Sequence, residues 1–455
     1  MRAPKITDSS AACAALFALA ACATPAPPPA ASSPASSSGV PPAEPASAAA
    51  PVFVENGGAS CPAPALPPFE QLAPISFLPD PFLSAQGQRI ATKAEWICRR
   101  AEISAQVQEY ELGPKPPKPS IVSGAFAAEK LSITAGEPGR TVNFSVAVTR
   151  PANAPAGPIP ALIVIGRSGL SPFFASRGVA VIEFDNNAMG AQGNQGEGAA
   201  RTDTRGQGTF YDLYGSDHGA SSMMAWAWGV SRVIDALAAT PAANIDVNRL
   251  AVSGCSRNGK GALVVGAFDE RIALTVAQES GAGGSASWRV SQAQMDAYRA
   301  DNPNPKGGQG VQTLASASGE QPWFRASFAQ FGKSTEEVNR LPFDHHMVLG
   351  LVAPRALFVL DNTDMMWLGD ESSFTSSLAA AEIWKALGAS GAMGASQVGG
   401  HPHCKDVPQA QLDELGAFVD KFLFSASGAP SNVLRSDRIA PNRARWIPWS
   451  TPALK

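Results

Sequence analysis

Short, almost unbroken apolar runs alternate along this chain with longer segments of helical period. PALIVIG (160–166) and GVAVIEFD (178–185) are apolar at nearly every position and end in small or polar residues. That is the pattern of strands buried on both faces of a parallel sheet. RLAVSGCS (249–256), IALTVAQESG (272–281) and APRALFVLDN (353–362) repeat it, and TVNFSVAVTRP (141–151) alternates like a strand. Helical spacing runs through 93–113, 219–239, 259–270, 373–389 and 411–424, the first segment closed by the stop signal Gly113-Pro114. Strands alternating with helices predict an α/β fold, a doubly wound and mostly parallel sheet in a three-layer sandwich. The stretch from 285 to 350 lacks strand pattern and is expected to form an insertion or cap beside the sheet. No internal repeat is visible, so 61–455 reads as one domain.

The pattern changes at the N-terminus. Arg2 and Lys5 precede a short apolar run, AACAALFALAAC (11–22), too short to span a bilayer. It ends in Leu19-Ala20-Ala21-Cys22, which resembles the lipobox of bacterial lipoproteins, where the cysteine is lipidated and becomes the first mature residue. Residues 1–22 are therefore expected to be a lipoprotein-type signal peptide with Cys22 as the lipidation site. An ordinary cleaved signal is the alternative, and both imply export. Ala23 stands where an aspartate would resemble an inner-membrane retention signal, which points to the outer membrane. Residues 23–60 form a Pro/Ala/Ser tract with almost no charge, an extended tether that cannot bury a core.

Composition narrows the partners. Lys+Arg number 35 against 38 Asp+Glu, a net charge of -3, which offers no basic surface for nucleic acid. A neutral or sugar-like ligand is compatible with that balance, and the protein is expected to work as a monomer. Of 6 cysteines, Cys13 lies in the signal and Cys22 would carry lipid. Cys61, Cys98, Cys255 and Cys404 remain, an even number in an oxidising compartment. Three pairings are open to them, and spacing does not choose.

The candidate chemistry sits in GCSRNGKG (254–261). Gly254-x4-Gly259-Lys260 fits most of a phosphate-binding loop, but that loop needs Ser or Thr after the lysine, and Gly261 stands there. The strand before it and the helix after it suit a nucleophile elbow instead, with Ser256 on the turn. The segment is one residue longer than the usual G-x-S-x-G. Cys255 lies on the strand side of the turn, and an exported cysteine tends to be oxidised, so it is the weaker nucleophile. A serine nucleophile needs a base oriented by an acid, in the order Ser, acid, His. Among 5 histidines, His401 and His403 lie in a Gly-rich loop, GGHPHCKD (399–406), before the last helix. His345 and His346 precede an apolar segment and read as structural.

At this point the chain resembles the glucuronoyl esterases of carbohydrate esterase family 15, which are α/β-hydrolases. The motifs that carry the resemblance are the Cys-Arg-Arg helix around Cys98, Gly-Cys-Ser-Arg-x-Gly-Lys-Gly at 254–261, Gln-Glu-Ser-Gly at 278–281, Trp288-Arg289 and His403-Cys404. The resemblance implies a catalytic triad of Ser256, Glu279 and His403, with Asp361 or Asp364 as alternative acids. It implies oxyanion stabilisation by Arg257 and sugar binding by Lys260, Gln312, Glu320 and Trp367. It also implies a Cys255–Cys404 disulfide, which leaves Cys61 and Cys98 to pair. The implied substrates are glucuronoxylan and lignin–carbohydrate esters, cleaved between 4-O-methyl-glucuronic acid groups and lignin alcohols. Such chemistry needs no metal or cofactor. Two rival readings are another serine esterase or peptidase on this fold, and a non-catalytic glycan-binding lipoprotein.

Overall fold

Ten strands make one sheet: β1 (Ile121–Ala127), β2 (Lys130–Glu137), β3 (Arg140–Thr149), β4 (Ile159–Ile165), β5 (Ala180–Phe184), β6 (Ile245–Cys255), β7 (Ile272–Gln278), β8 (Ala356–Asp361), β9 (Met393–Gln397) and β10 (Leu434–Ser436). The computed structural model describes residues 54–58, 60–152, 154–193, 203–306, 309–320, 322–428 and 431–455. The signal peptide, Cys22 and the tether up to residue 53 lie outside the described residues. The strand order is β1-β2-β3-β5-β4-β6-β7-β8-β9-β10. Pairing is antiparallel from β1 to β5 and parallel from there to β10.

The apolar runs explain why both faces are covered. Successive side chains of a strand point to opposite faces. Leu162 and Val164 of β4, Val276 of β7 and Phe358 of β8 pack on one side with Phe418 and Val419 of helix Gln409–Phe424. Ile163, Ile165, Val252 and Val359 pack on the other side, in the core that includes helices Ser222–Ala239 and Arg257–Phe268. The expected doubly wound α/β sheet is thus present, with an antiparallel extension at one edge.

The stretch 285–350 holds helices and no strand among the described residues, including Trp288–Asp301, Leu314–Glu320 and His345–Gly350. The Trp288-Arg289 pair is part of its framework. Trp288 is fully buried, and Arg289 donates to Asp344 and to the carbonyls of Ile75, Asn339, Leu341 and Phe343. A buried cation is tolerable only with its donors satisfied in this way.

Packed chain starts ahead of residue 61. Glu55 pairs with Lys115 at 2.7 Å and with Arg232 at 2.5 Å, and Cys61 is bonded to Cys98. The expected tether boundary at 60 therefore falls too late, because a carboxylate five residues earlier is already engaged with buried cations. No helix of the described residues is long and apolar enough to cross a membrane.

Candidate active site

β6 ends at Cys255, helix Arg257–Phe268 begins at once, and Ser256 between them takes φ 60° and ψ -128°. A positive φ is costly for a residue with a side chain and persists only where the surroundings enforce it. Here the Ser256 N–H donates to Gln278 O at 3.0 Å. The flanking glycines are sterically required. A Cβ at Gly254 would stand 2.4 Å from Asn258 O, and one at Gly259 would stand 2.5 Å from Gln278 O. Gly261 closes the phosphate-loop question. A Cβ there would come within 2.6 Å of the Trp226 ring, so the hydroxyl such a loop needs has no room. The segment presents a half-buried serine on a strained turn, at the N-terminal end of a helix.

The next strand leads to Glu279, the first of the expected acids. β7 ends at Gln278, and Glu279 follows with φ 43° while its N–H donates to Leu360 O at 2.7 Å. Its carboxylate is fully buried and accepts from His403 Nδ1–H at 2.7 Å and from the Cys404 N–H at 3.1 Å. Those donors meet the requirement that a buried carboxylate be paired. His403 keeps 28% of its side-chain surface exposed, while the Glu279 it bonds is enclosed.

A disulfide joins Cys255 to Cys404, with Cα atoms 5.8 Å apart. One cysteine directly precedes Ser256 and the other directly follows His403, so the bridge staples the Ser256 turn to the loop that carries His403. It also removes Cys255 as a nucleophile. Glu279, His403 and both sulfurs offer ligand-type atoms within 4.8 Å of one another. Two of those four atoms are spent in the S–S bond, and the other two residues already pair with each other. The donor set does not suit an ion.

The alternative acids are engaged elsewhere. Asp361 accepts from the Ser373 hydroxyl, and burial, with the Glu279 charge adding, pushes its carboxyl up to about 6 against partial opposition from Ser373, Ser285 and Lys260. Asp364 accepts from the Gly400 N–H and pairs with Arg438, and that N–H bond holds its carboxyl below the usual range. The other histidines are structural. Burial pulls His345 down, but Glu111 at 3.0 Å more than offsets it, and the net shift is upward. His346 bonds Pro79 O at 2.8 Å, and burial lowers it to about 4. His401 is held by Lys405 O at 3.0 Å and Val398 O at 3.2 Å. His218 packs edge-on to Phe210.

Three of the four expected sugar-binding residues come together. Lys260, nearly fully buried, donates to Ser280 O, and its Nζ lies 3.4 Å from Gln312 Oε1. The Gln312 N–H donates to Trp367 O at 3.0 Å, and Trp367 is half-buried. Glu320 closes helix Leu314–Glu320, and its side chain lies outside the described residues. Arg257 opens the elbow helix, where the first N–H groups have no intrahelical acceptor. Its guanidinium carbon stands 5.9 Å from the centroid of Trp323, whose indole N–H donates to Gln192 Oε1 at 3.3 Å. Sequence reading singled out neither Trp323 nor Gln192. Nothing local marks them, since each meets Arg257 or its neighbour only through the fold. A serine on a strained turn, a histidine bonded to a buried carboxylate and an arginine next in sequence to the serine are the kinds of group that acyl transfer uses.

A family model described as glucuronyl esterase, fungi, matches residues 133–388. The chain is 46% identical over 398 residues to a 4-O-methyl-glucuronoyl methylesterase of Hypocrea jecorina (strain QM6a), covering 88% of this chain and 80% of that protein. Among solved structures, it is similar to the glucuronoyl esterase catalytic domain from Hypocrea jecorina, with TM-score 0.77, 45% identity, and 86% of this chain and 100% of that one covered. A mutant glucuronoyl esterase from Sporotrichum thermophile, in complex with methyl 4-O-methyl-beta-D-glucopyranuronate, gives TM-score 0.76 at 40% identity, covering 87% and 100%. A carbohydrate esterase family 15 glucuronoyl esterase from Caldicellulosiruptor kristjansonii gives 0.69 at 27%, covering 84% and 99%.

Proposed function

The chain belongs to the glucuronoyl esterases of carbohydrate esterase family 15, and on that premise we propose that Ser256, His403 and Glu279 are the triad with which it cleaves glucuronate esters. It is a carboxylic ester hydrolase with the α/β-hydrolase fold. Ser256 Oγ attacks the uronoyl carbonyl carbon while His403 Nε2 takes its proton. Glu279 holds His403 Nδ1–H, which fixes the tautomer with Nε2 free to accept. The Arg257 N–H and guanidinium stabilise the tetrahedral oxyanion. Collapse breaks the ester C–O bond, and the His403 proton leaves with the alcohol. Water, deprotonated by His403, then attacks the acyl-enzyme and releases glucuronic acid and Ser256.

The observation that carries this reading is the bond from His403 to the buried Glu279, on a loop stapled by disulfide to the residue before Ser256. Lys260, Gln312, Glu320 and Trp367 take the sugar. Lys260 donates, Glu320 accepts, Gln312 does either, and the indole of Trp367 gives an apolar wall with one N–H. The substrate is the ester joining 4-O-methyl-glucuronic acid of glucuronoxylan to lignin alcohols, and no metal or cofactor enters. The catalytic part works as a monomer behind a signal peptide (1–22) and a Pro/Ala/Ser tether. Two disulfides suit an exported protein, and lipidation at Cys22 would hold it at the outer membrane. Cys22→Ser should move it from the membrane fraction to the soluble one.

The substrate assignment is tested by comparing benzyl glucuronate, its galacturonate counterpart and an acetyl ester. Preferential glucuronate cleavage is expected. Activity confined to the acetyl ester would remove the glucuronate assignment, and a folded protein without ester activity would favour glycan binding alone.

A further inference from the structure

We propose that Trp323 is a positioning residue for the reaction, whose ring face sets the Arg257 guanidinium beside Ser256 before substrate arrives. The inference rests on the reading of Arg257 as the oxyanion's cationic partner.

The juxtaposition is specific. The Arg257 guanidinium carbon lies 5.9 Å from the Trp323 centroid, within reach of the ring's electron-rich face. Guanidinium is planar and weakly hydrated, which makes it the cation best suited to lie on an aromatic ring. A ring face orients a cation without adding a charge of its own. An arginine side chain left mobile would lose rotamer freedom in the transition state, at a cost to the rate. Fixing it beforehand is preorganisation.

Trp323 is itself held from several elements. Its side chain is almost fully buried, and its indole N–H is anchored on Gln192 at 3.3 Å. The residue before it, Pro322, accepts from the Ser222 N–H at 2.9 Å. The residue after it, Phe324, accepts from Arg205 and packs edge-on to Trp288. Two residues on, the Arg325 N–H donates to Glu111 O at 2.8 Å. Backbone and ring edge are thus both fixed, so the face toward Arg257 is a rigid platform. A tryptophan that only filled core volume would have no need of its position against the first residue of the elbow helix.

The test is a double-mutant cycle on methyl glucuronate, with thermal melts to check folding. Trp323→Leu should lower kcat about tenfold, in the range of a partly desolvated cation–π contact, and leave KM within about twofold. Trp323→Phe keeps a ring face and should recover most of kcat. In an Arg257→Ala background, Trp323→Leu should cost nothing further, because the two act as one unit. If Trp323→Leu does not fold, Trp323→Met, whose unbranched flexible chain adapts to an irregular space and has no π face, carries the same expectation. A full additional loss in the Arg257→Ala background would overturn the inference, as would a rise in KM with kcat unchanged. An Arg257→Ala enzyme of wild-type activity would instead remove the oxyanion reading beneath it.

Discussion

His403 donates its Nδ1–H to Glu279 at 2.7 Å, and that carboxylate has no exposed surface. The pair ties His403 to the end of β7, the strand next to β6. Glu279→Gln keeps the shape but offers an amide whose N–H₂ competes to face His403. The wrong tautomer is then favoured, and kcat on methyl glucuronate should fall by roughly a thousandfold or more with the melting temperature little changed. Retention of more than a tenth of wild-type kcat would show that Glu279 does not orient the base.

The Cys255–Cys404 bridge closes a sequence separation of 149 residues. Loop-closure entropy puts its contribution at about 5 kcal/mol, and engineered cases often deliver less. Replacing both cysteines with serine should lower stability in denaturant by about 2–5 kcal/mol. Because Cys404 adjoins His403, kcat should drop even in the fraction that stays folded. Urea titration and assays well below the midpoint measure the two effects separately, and a variant with full kcat would deny the bridge a catalytic role.

Asp361 sets a pH signature in stability. Burial raises its folded carboxyl to about 6, above the unfolded value, so the protonated form is the one the fold favours. That contribution is fully present below the unfolded pKa near 4 and is lost as pH rises through about 6. Asp361→Asn mimics the protonated carboxyl at every pH. Relative to wild type, it should gain up to about 3 kcal/mol between pH 4 and 7. Melting curves across that range check it, and a pH-independent difference between the two proteins would contradict it.

Gln312 links Lys260 to Trp367, through its side chain to the one and its N–H to the other. If these residues bind the sugar in ground and transition state alike, Gln312→Leu should raise KM for methyl glucuronate about tenfold and leave kcat within about threefold. Steady-state kinetics decide it. A fall in kcat at unchanged KM would place Gln312 in the chemistry rather than in binding.

The central sheet was legible because β4 to β8 are buried on both faces and carry nearly continuous apolar runs. The hairpin of β1 and β2 was missed although β2 alternates, with Leu131, Ile133 and Ala135 buried. Its turn residues Ala128 and Glu129 take φ 48° and 58° without the Gly or Asn that usually mark such turns. β9 was missed because Met-Gly-Ala-Ser-Gln has little strand character. Its Gly394 is dictated by Phe418, which a Cβ would approach to 2.6 Å. In the proposed site, motif and chain order point to Ser256 and His403, and the resemblance points to Glu279, whose bond to His403 the fold then shows. Trp323 was not readable, since its contact with Arg257 joins segments far apart in sequence.

The most direct test of the central claim is kcat/KM for methyl glucuronate with wild type and Ser256→Ala, both verified as folded. Loss of the nucleophile from a triad that acts as a unit should cut the rate by a factor on the order of 10⁴ or more. A Ser256→Ala enzyme within about tenfold of wild type would contradict the account, because no acyl-enzyme could then form at the elbow.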